Sequence, residues 1–261
     1  MEMTLADVAR RQGCAIRTAQ AAVVDGSLSA HRRVERALVV DDLAAQAWQR
    51  SAARGRTWNE AGRNAALDLL TSGATAELGG SERSRLKARL RRMTARQIAH
   101  ASGGLGSWAR YRSDAPLDID PIGPSRADLH QLGVVGKRSW LRFGRVVDLD
   151  EFEYASDVRV DVNEKVGVVE RPVRDDRIAR TLIDTYLLGD ARVSAAAGRA
   201  IEERARALRP LRHARSRGWW WRSGFLRAAK PREPFRASAS ISRSPSTFAH
   251  LSIGSFVLTV R

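Results

Sequence analysis

Cysteine, tyrosine and methionine are scarce in this chain of 261 residues, which has one cysteine, three tyrosines and three methionines. Because Cys14 has no second cysteine to pair with, an intrachain disulfide is excluded, and a reducing cytoplasm suits the chain. No apolar run reaches the ~18 residues that a membrane helix needs. The first seven residues hold two acids and no base, unlike the basic start of a secretory signal peptide. We therefore expect a cytoplasmic protein without membrane contact.

Acidic residues are almost missing from residues 207–261, where eleven bases stand against one acid. The formal net charge of +16 is unevenly spread, with +1 in residues 1–50, +7 in 51–110, −2 in 111–206 and +10 in the rest. A basic surplus favours phosphate-bearing partners, although the position of the charge matters more than its size. Since the first fifty residues are almost neutral, any prediction of nucleic-acid binding there has to come from the residue pattern.

The apolar pattern divides the chain into four segments and predicts a mostly α fold with a small α+β part. Residues 1–53 are expected to form a winged helix-turn-helix, and residues 54–110 a basic helical segment. Residues 111–207 contain two strand-like runs before two amphipathic helices, which predicts an α+β domain. Residues 208–261 hold three consecutive tryptophans and a stretch rich in Ser, Arg and Pro without periodicity. We expect a basic disordered tail there, with a shifted reading frame as the alternative.

Local signals set the expected bounds of the elements. Thr4 to Asp7, Thr57 to Glu60 and Thr94 to Gln97 have the spacing of capping boxes. Helices are expected at about residues 17–24, 82–93, 125–132, 175–188 and 191–207. Strands are expected within residues 28–40, 140–149 and 158–173, with a turn at residues 163–165.

The first segment carries the pattern that points most clearly to a function. Gly13 to Gln20 supplies a glycine turn, a small apolar plug at Cys14 and polar residues on a second helix. A hairpin over residues 28–40, turning near Glu35, would follow as the wing. This order is typical of a helix-turn-helix whose second helix enters the major groove of double-stranded DNA. The residues predicted to bind DNA are Arg17, Thr18, Gln20 and Ala21 on the helix, and Arg32, Arg33 and Arg36 on the wing.

Specificity from one copy of this motif is expected to be weak. On the helix, Arg17 and Gln20 alone can make a bidentate base contact, which is worth roughly 1–3 kcal/mol of discrimination. We therefore expect a homodimer or a second contact surface on DNA. The alternative interpretation is a short helical hairpin with an attached β-hairpin and no contact with DNA.

The basic helix of the middle segment is a candidate for that second surface. Leu86, Leu90 and Met93 form its apolar stripe. The bases that flank this stripe are Arg83, Arg85, Lys87, Arg89, Arg91 and Arg92. Two interpretations stay open: a surface for nucleic acid or an acidic partner, and the solvated face of a helix that packs on its leucines.

Motifs of metal sites and of catalysis are not found in the sequence. The five histidines have no cysteine or carboxylate at a recognised ligand spacing, so we expect no metal, no cofactor and no enzyme. The acids at Asp148, Asp150 and Glu151 fit a helix N-terminus better than a metal site. Asp161 with Glu164 has the spacing of a nuclease signature, but a turn explains it better. A nuclease guided by the helix-turn-helix is kept as a third hypothesis.

Three stretches of the first segment resemble the excisionase and MerR-like winged helix: Gly13 to Thr18, Gly26 to Leu28 and Arg36 to Val40. Further stretches are similar to actinobacterial antitoxins of type IV toxin-antitoxin systems, the AbiEi type: Gly55 to Trp58, the helix end from Ala65 to Leu70, and Ser81 to Leu86 with Arg89 to Arg91. The resemblance covers about residues 4–206. The chain departs from it at Ala15, where a capping serine is usual, and at Glu35, where the wing turn usually has glycine.

This resemblance implies an antitoxin that represses its own operon through residues 1–53. Residues 111–207 would then contact a cognate toxin of nucleotidyltransferase type, or a second copy of the chain. The alternative function is a stand-alone excisionase-like or MerR-like regulator whose later domain senses a small molecule or oligomerises.

Overall fold

The local signals of the N-terminus account for its first elements. The computed structural model describes residues 2–30, 32–34, 37–134, 141–161, 163–171, 173 and 175–208. It begins with β1 (Glu2–Thr4), α1 (Leu5–Gln12) and α2 (Ile16–Val24). The first capping box is confirmed, because Thr4 Oγ1 accepts a hydrogen bond from the Asp7 N–H at 3.2 Å and the Asp7 carboxylate accepts one from the Thr4 N–H. Gly13 ends α1 with a φ of +63°, which glycine adopts without steric cost, so the chain turns sharply into α2.

A three-stranded antiparallel sheet leads into the next helix: β2 (Arg32–Val34), β3 (Ala37–Asp41) and α3 (Asp42–Ser51). β3 is the central strand between β1 and β2. β2 and β3 pair where the sequence predicts a hairpin, with Val34 opposite Ala37. The predicted strand starts too early, because Leu28 is buried in the core and residues 28–30 make no ladder. β1 was not predicted, since three residues are too few to show alternation.

Three helices form most of the middle segment: α4 (Glu60–Ser72), α5 (Gly80–Leu90) and α6 (Ala95–Ala101). The capping box predicted at Thr57 is wrong, because Asn59, an equally good N-cap residue, caps α4 and accepts a hydrogen bond from the Gly62 N–H at 2.9 Å. The capping box at Thr94 is confirmed. Helix α5 ends before Met93, since the chain leaves the helix to reach this second cap.

A second sheet of five strands follows: β4 (Trp108–Arg112), β5 (Asp120–Pro121), β6 (Arg142–Val146), β7 (Arg159–Val160) and β8 (Val166–Glu170). The order is β5-β6-β8-β4-β7, with β6 and β8 parallel and the other neighbours antiparallel. The turn at residues 163–165 is present. The strands on either side of it, β7 and β8, do not pair with each other, because each pairs with β4. β4 was not predicted, and the boundary expected after residue 110 falls inside it.

Helices and short 3-10 turns complete the later part: 3-10 helices at Gly123–Ser125 and Leu129–Leu132, then α7 (Leu149–Ser156), α8 (Ile178–Leu188) and α9 (Ala191–Ala207). Asp148 caps α7, as its acidic start predicts, and accepts a hydrogen bond from the Glu151 N–H at 2.9 Å. The helix expected over residues 125–132 is wrong, because Pro124 lies inside the first 3-10 turn and the chain resumes only as a second one. α9 has the predicted bounds.

The core is centred on α8, whose residues are buried along almost its full length. Leu182 and Ile183 are fully inaccessible to solvent, and α8 packs against α3, α4, α6 and α9. In the sheet, Gly167 of β8 has to be glycine, because a Cβ there would lie 2.8 Å from the Phe143 ring and 3.2 Å from the Trp108 ring. One contiguous apolar core reaches from Leu5 to Leu208, so the three predicted segments share it.

The described residues are about half helical with two small sheets, which is consistent with the coarse fold prediction. None of their helices is long and apolar enough to cross a membrane. Leu208 is buried after the last turn of α9, and residues 209–261, where the disordered tail is predicted, lie outside the described residues.

Candidate nucleic-acid interface

The packing of α1 on α2 fixes which face of α2 meets solvent. Ala19 and Ala22 are buried against α1, and Cys14 in the turn is partly buried and packs on the same core, as a plug should. Ala15 takes the N-cap position of α2 without a side-chain hydrogen bond, which leaves the first turn without the usual polar cap. The Thr18 N–H of this turn instead donates to the Ala15 carbonyl oxygen at 2.9 Å, so a backbone hydrogen bond takes the place of the side-chain cap.

The four DNA-binding residues predicted on α2 are all exposed, but they do not share one narrow stripe. At 100° per residue, Arg17 and Ala21 lie at the centre of the exposed face, while Gln20 and Thr18 lie on its two flanks. Val24 also lies near the centre and is 89% exposed, although the sequence analysis did not name it. The sequence carried a signal for this exposure, because Val24 follows Arg17 by seven residues and residues i and i+7 share a helix face. An exposed valine can contact a thymine methyl group.

The structure describes the two strands of the predicted wing, but not every residue of it. Arg32 and Arg33 belong to β2, where their backbones pair with Val39 and Leu38 of β3. Arg36 stands between the last paired residues of the two strands and lies outside the described residues. The wing contribution to DNA binding therefore stays a prediction at the level of side chains.

The second basic surface separates into two groups. Arg83 donates to the Thr75 carbonyl at 3.4 Å, and Lys87 Nζ donates to the Gly73 carbonyl at 2.8 Å, where α4 ends. These two cations stabilise the loop between α4 and α5. Arg85, Arg89 and Arg92 are exposed, and the Arg89 guanidinium stacks 5.7 Å from the Trp58 ring centre.

This division weakens α5 as one continuous phosphate-binding stripe. Arg92, two residues after the end of α5, donates to the Ala88 carbonyl of that helix at 3.2 Å, and Arg91 is half-buried. Of the six predicted bases, Arg85 is the one that is exposed and has no polar or ring partner within the described part of the chain. For the exposed bases, the binding-surface interpretation and the solvated-face interpretation both stay open.

Arginines of the later part of the chain are paired with carboxylates instead. Asp184 of α8 is buried and accepts from Arg171 Nη2 at 2.6 Å and from Arg180 Nη2 at 2.9 Å. Burial alone would raise the pKa of Asp184, but the two guanidinium groups outweigh it and hold the pKa below its ordinary value. A cleft of about 390 Å³ beside this network is lined by both signs of charge. Such a surface does not favour a polyanion.

A second buried ion pair joins the N-terminal sheet to the later sheet. The Arg110 guanidinium of β4 binds both oxygens of Asp41, the residue that also caps α3, with Nη2 to Oδ1 at 2.9 Å. Burial and a hydrogen bond with Asp42 raise the pKa of Asp41 to about 6, and Arg110 acts in the opposite direction. This pair joins β3 to β4 of the later sheet.

The side chains considered for metal binding or nuclease chemistry make hydrogen bonds with the backbone of turns and loops. Asp161 Oδ1 accepts from the Asn163 N–H at 2.9 Å, and the Glu164 N–H donates to the Asp161 carbonyl, which is the predicted turn. His100 Nε2 lies 2.9 Å from the Gly55 carbonyl oxygen. Within the described ranges, no three His, Cys, Asp or Glu side chains come together as metal ligands.

Comparison with protein-family models, with curated proteins and with solved structures finds no match for this chain. The family resemblance of the sequence motifs therefore stays a prediction, and the geometry of α2 has to carry the functional argument.

Proposed function

We propose that this protein is a cytoplasmic, non-enzymatic DNA-binding antitoxin that represses its own toxin-antitoxin operon. The observation that carries the DNA-binding part is the face of α2, where Arg17 and Gln20 project to solvent after a glycine turn. α2 has nine residues, and an α-helix with its side chains is about 10–12 Å across, which suits a major groove about 12 Å wide. The opposite face of α2 is fixed on α1, so the reading face is presented rigidly.

The positions of the charged side chains around α2 also support DNA binding. Arg17 has no hydrogen-bond or ion-pair partner within the described part of the chain, so its guanidinium is available for a guanine edge or a phosphate. Asp7 and Asp25 lie near α2 in sequence, but the carboxylate of each accepts a hydrogen bond from a backbone N–H in its own turn. With so few base-reading side chains per copy, binding of two copies to a paired site is part of the proposal.

The antitoxin part of the proposal rests on the resemblance of two motifs, one of which lies in a loop and the other in a helix. Gly55 to Trp58 belongs to the loop before α4, and Ser81 to Leu86 to the first turns of α5. The proposed partner is a nucleotidyltransferase-type toxin encoded beside this chain. Co-expression tests this directly: the full chain should restore growth to cells that express the neighbouring gene product, and failure to do so would reject the antitoxin assignment.

Duplex DNA binding is tested with the purified protein and the DNA immediately upstream of its coding sequence. The matched variant is the triple substitution R17A/R33A/R36A, and both proteins are titrated at two salt concentrations. Saturable, sequence-selective binding by the wild type and its loss in the variant are expected. Equal binding to any duplex by both proteins would move the activity away from α2 and the wing.

A second candidate function, a regulator that senses a small molecule, is favoured by a separate cavity of about 850 Å³. Arg63 of α4, Ser102 and the glycine-rich residues 103–106 line it, together with Arg180 of α8. Ser102 Oγ and Arg180 Nε are buried and have no hydrogen-bond partner within the described part of the chain. A metabolite that changes the DNA footprint would favour this function over the antitoxin.

A further inference from the structure

A groove separates α2 from the loop that follows α3. This groove, called the α2 groove below, has a volume of about 800 Å³. Thr18 and Ala21 line it from the α2 side, and Arg54, Thr57 and His100 line it from the opposite side. Two of the predicted DNA-binding residues therefore face a second wall that the sequence analysis did not include.

The loop that forms this wall, residues 52–58, is fixed by hydrogen bonds at its ends and in its middle. The Ala52 N–H donates to the Trp48 carbonyl at 2.6 Å, and the Trp58 N–H donates to the Ala101 carbonyl at 2.8 Å. His100 Nε2 contacts the Gly55 carbonyl oxygen at 2.9 Å. A loop held in this way loses little further conformational entropy when it binds a partner.

Two arginines project from this fixed loop on either side of Gly55, whose φ of +117° is a conformation that other residues rarely adopt. Arg54 and Arg56 are both exposed, and neither has a hydrogen-bond or ion-pair partner within the described ranges. In the later part of the chain, by contrast, Arg110, Arg171 and Arg177 are all held by carboxylates.

We propose that Arg54 and Arg56 bind the sugar-phosphate backbone of the same duplex that α2 reads, an inference that rests on the proposed function. When a helix lies in the major groove, the strand that borders the groove has to pass beside the helix. The α2 groove lies beside α2, and Arg54 lines it from the side opposite α2. Arg54 would therefore meet a strand that passes along the groove, and Arg56, an exposed residue of the same loop outside the groove lining, would meet the adjoining part of that strand.

The acidic residue of the α2 groove does not oppose this arrangement. Asp25 lies at the C-terminal end of α2, and its carboxylate accepts a hydrogen bond from the Ser27 N–H at 2.9 Å. Recognition helices contact DNA chiefly through their N-terminal residues. The backbone is therefore placed near Arg17 and Thr18, at the end of the groove away from Asp25.

The test uses the full chain and a duplex selected by it from a random-sequence library. Dissociation constants are measured over a range of salt concentrations for the wild type, R54A/R56A, R54K/R56K and the control R192A/R199A. The control removes the same charge from exposed positions of α9, which do not line the α2 groove. Thermal unfolding of each variant shows that it is folded.

R54A/R56A is expected to bind roughly tenfold more weakly, with the order of preferred sequences unchanged. The slope of log K against log salt should fall in magnitude by about 2, since each phosphate contact contributes about 0.9. R54K/R56K should keep most of the slope, and the control should match the wild type. Equal slopes for R54A/R56A and the control would overturn the inference while leaving the proposed function intact. Failure of the wild type to select any duplex would instead reject the proposed function itself.

Discussion

Three arginines of the N-terminal part and the core arginines of the later part do opposite things. In the N-terminal part, Arg17, Arg54 and Arg56 are exposed and unpaired within the described residues. Arg17 lies in residues 1–50, whose net charge is only +1, and the other two lie in residues 51–110, whose net charge is +7. In the later part, Arg171 and Arg180 lie inside the fold and are neutralised by Asp184. Net charge alone would therefore miss Arg17, which is free although its segment is almost neutral.

The largest effect is expected from removing the carboxylate at the centre of the buried network. Asp184→Ala leaves two guanidinium groups buried without their counter-charge, so we expect a loss of about 4–5 kcal/mol in the free energy of unfolding. Urea unfolding measures this, with the exposed substitution Glu203→Gln on α9 as the control. A loss as small as that of the control would show that the network is not needed for stability.

The next effect concerns the ion pair between the two sheets. Arg110→Met leaves Asp41 buried without its partner and should cost about 3–4 kcal/mol of unfolding free energy. Asp41→Asn removes the unpaired charge and keeps the cap on α3, so the double variant R110M/D41N should be more stable than R110M alone. A double variant no more stable than R110M would mean that packing, and not charge, sets the cost.

A smaller effect, on DNA binding and not on stability, is expected from Arg17 on the exposed face of α2. Arg17→Ala should remove roughly 1–3 kcal/mol of discrimination between the selected duplex and single-base variants of it. Its unfolding free energy should stay within about 0.5 kcal/mol of the wild type, because the side chain is exposed. Discrimination that is unchanged would place base reading elsewhere.

Acid should destabilise the later part through its paired carboxylates. Burial raises the pKa of Asp175, but the Arg177 guanidinium outweighs burial and holds the pKa below the ordinary value of 3.8. A carboxyl with a lowered pKa in the folded state contributes stability above its unfolded pKa and loses it as the pH falls through the folded value. Urea unfolding at pH values around and below 4 should therefore show a loss that is smaller by about 1 kcal/mol in Arg177→Ala. An identical pH profile in the variant would contradict this pairing.

The smallest effect distinguishes the two groups of bases on α5. Lys87→Ala should lower the unfolding free energy by about 0.3–1 kcal/mol, since Lys87 binds a carbonyl at the end of α4, and should leave DNA affinity unchanged. Arg85→Ala should leave stability unchanged, so a fall in its DNA affinity would identify the exposed side of α5 as a binding surface. Loss of DNA affinity in Lys87→Ala would argue against the structural assignment.

Part of the candidate site could be predicted because it depends on neighbours along the chain. The glycine turn at Gly13 and the exposed face of α2 follow from helix periodicity and backbone conformation, which are local. Val24 was within reach of the same reasoning. Arg54 and Arg56 were not, because their relevance depends on a loop that only tertiary packing brings opposite α2.

The sequence by itself determined most helices and several of their ends, since capping residues such as Thr4, Thr94 and Asp148 act within one turn of their own helix. Tertiary structure alone decided the strand order β5-β6-β8-β4-β7 and the partners of the buried arginines. It also decided which bases remain free to bind, as Lys87 and Arg85 show on one helix. The physical reason is that ladder and ion-pair partners lie far apart in the chain, and a pattern of residue types carries no signal of which distant group will meet them.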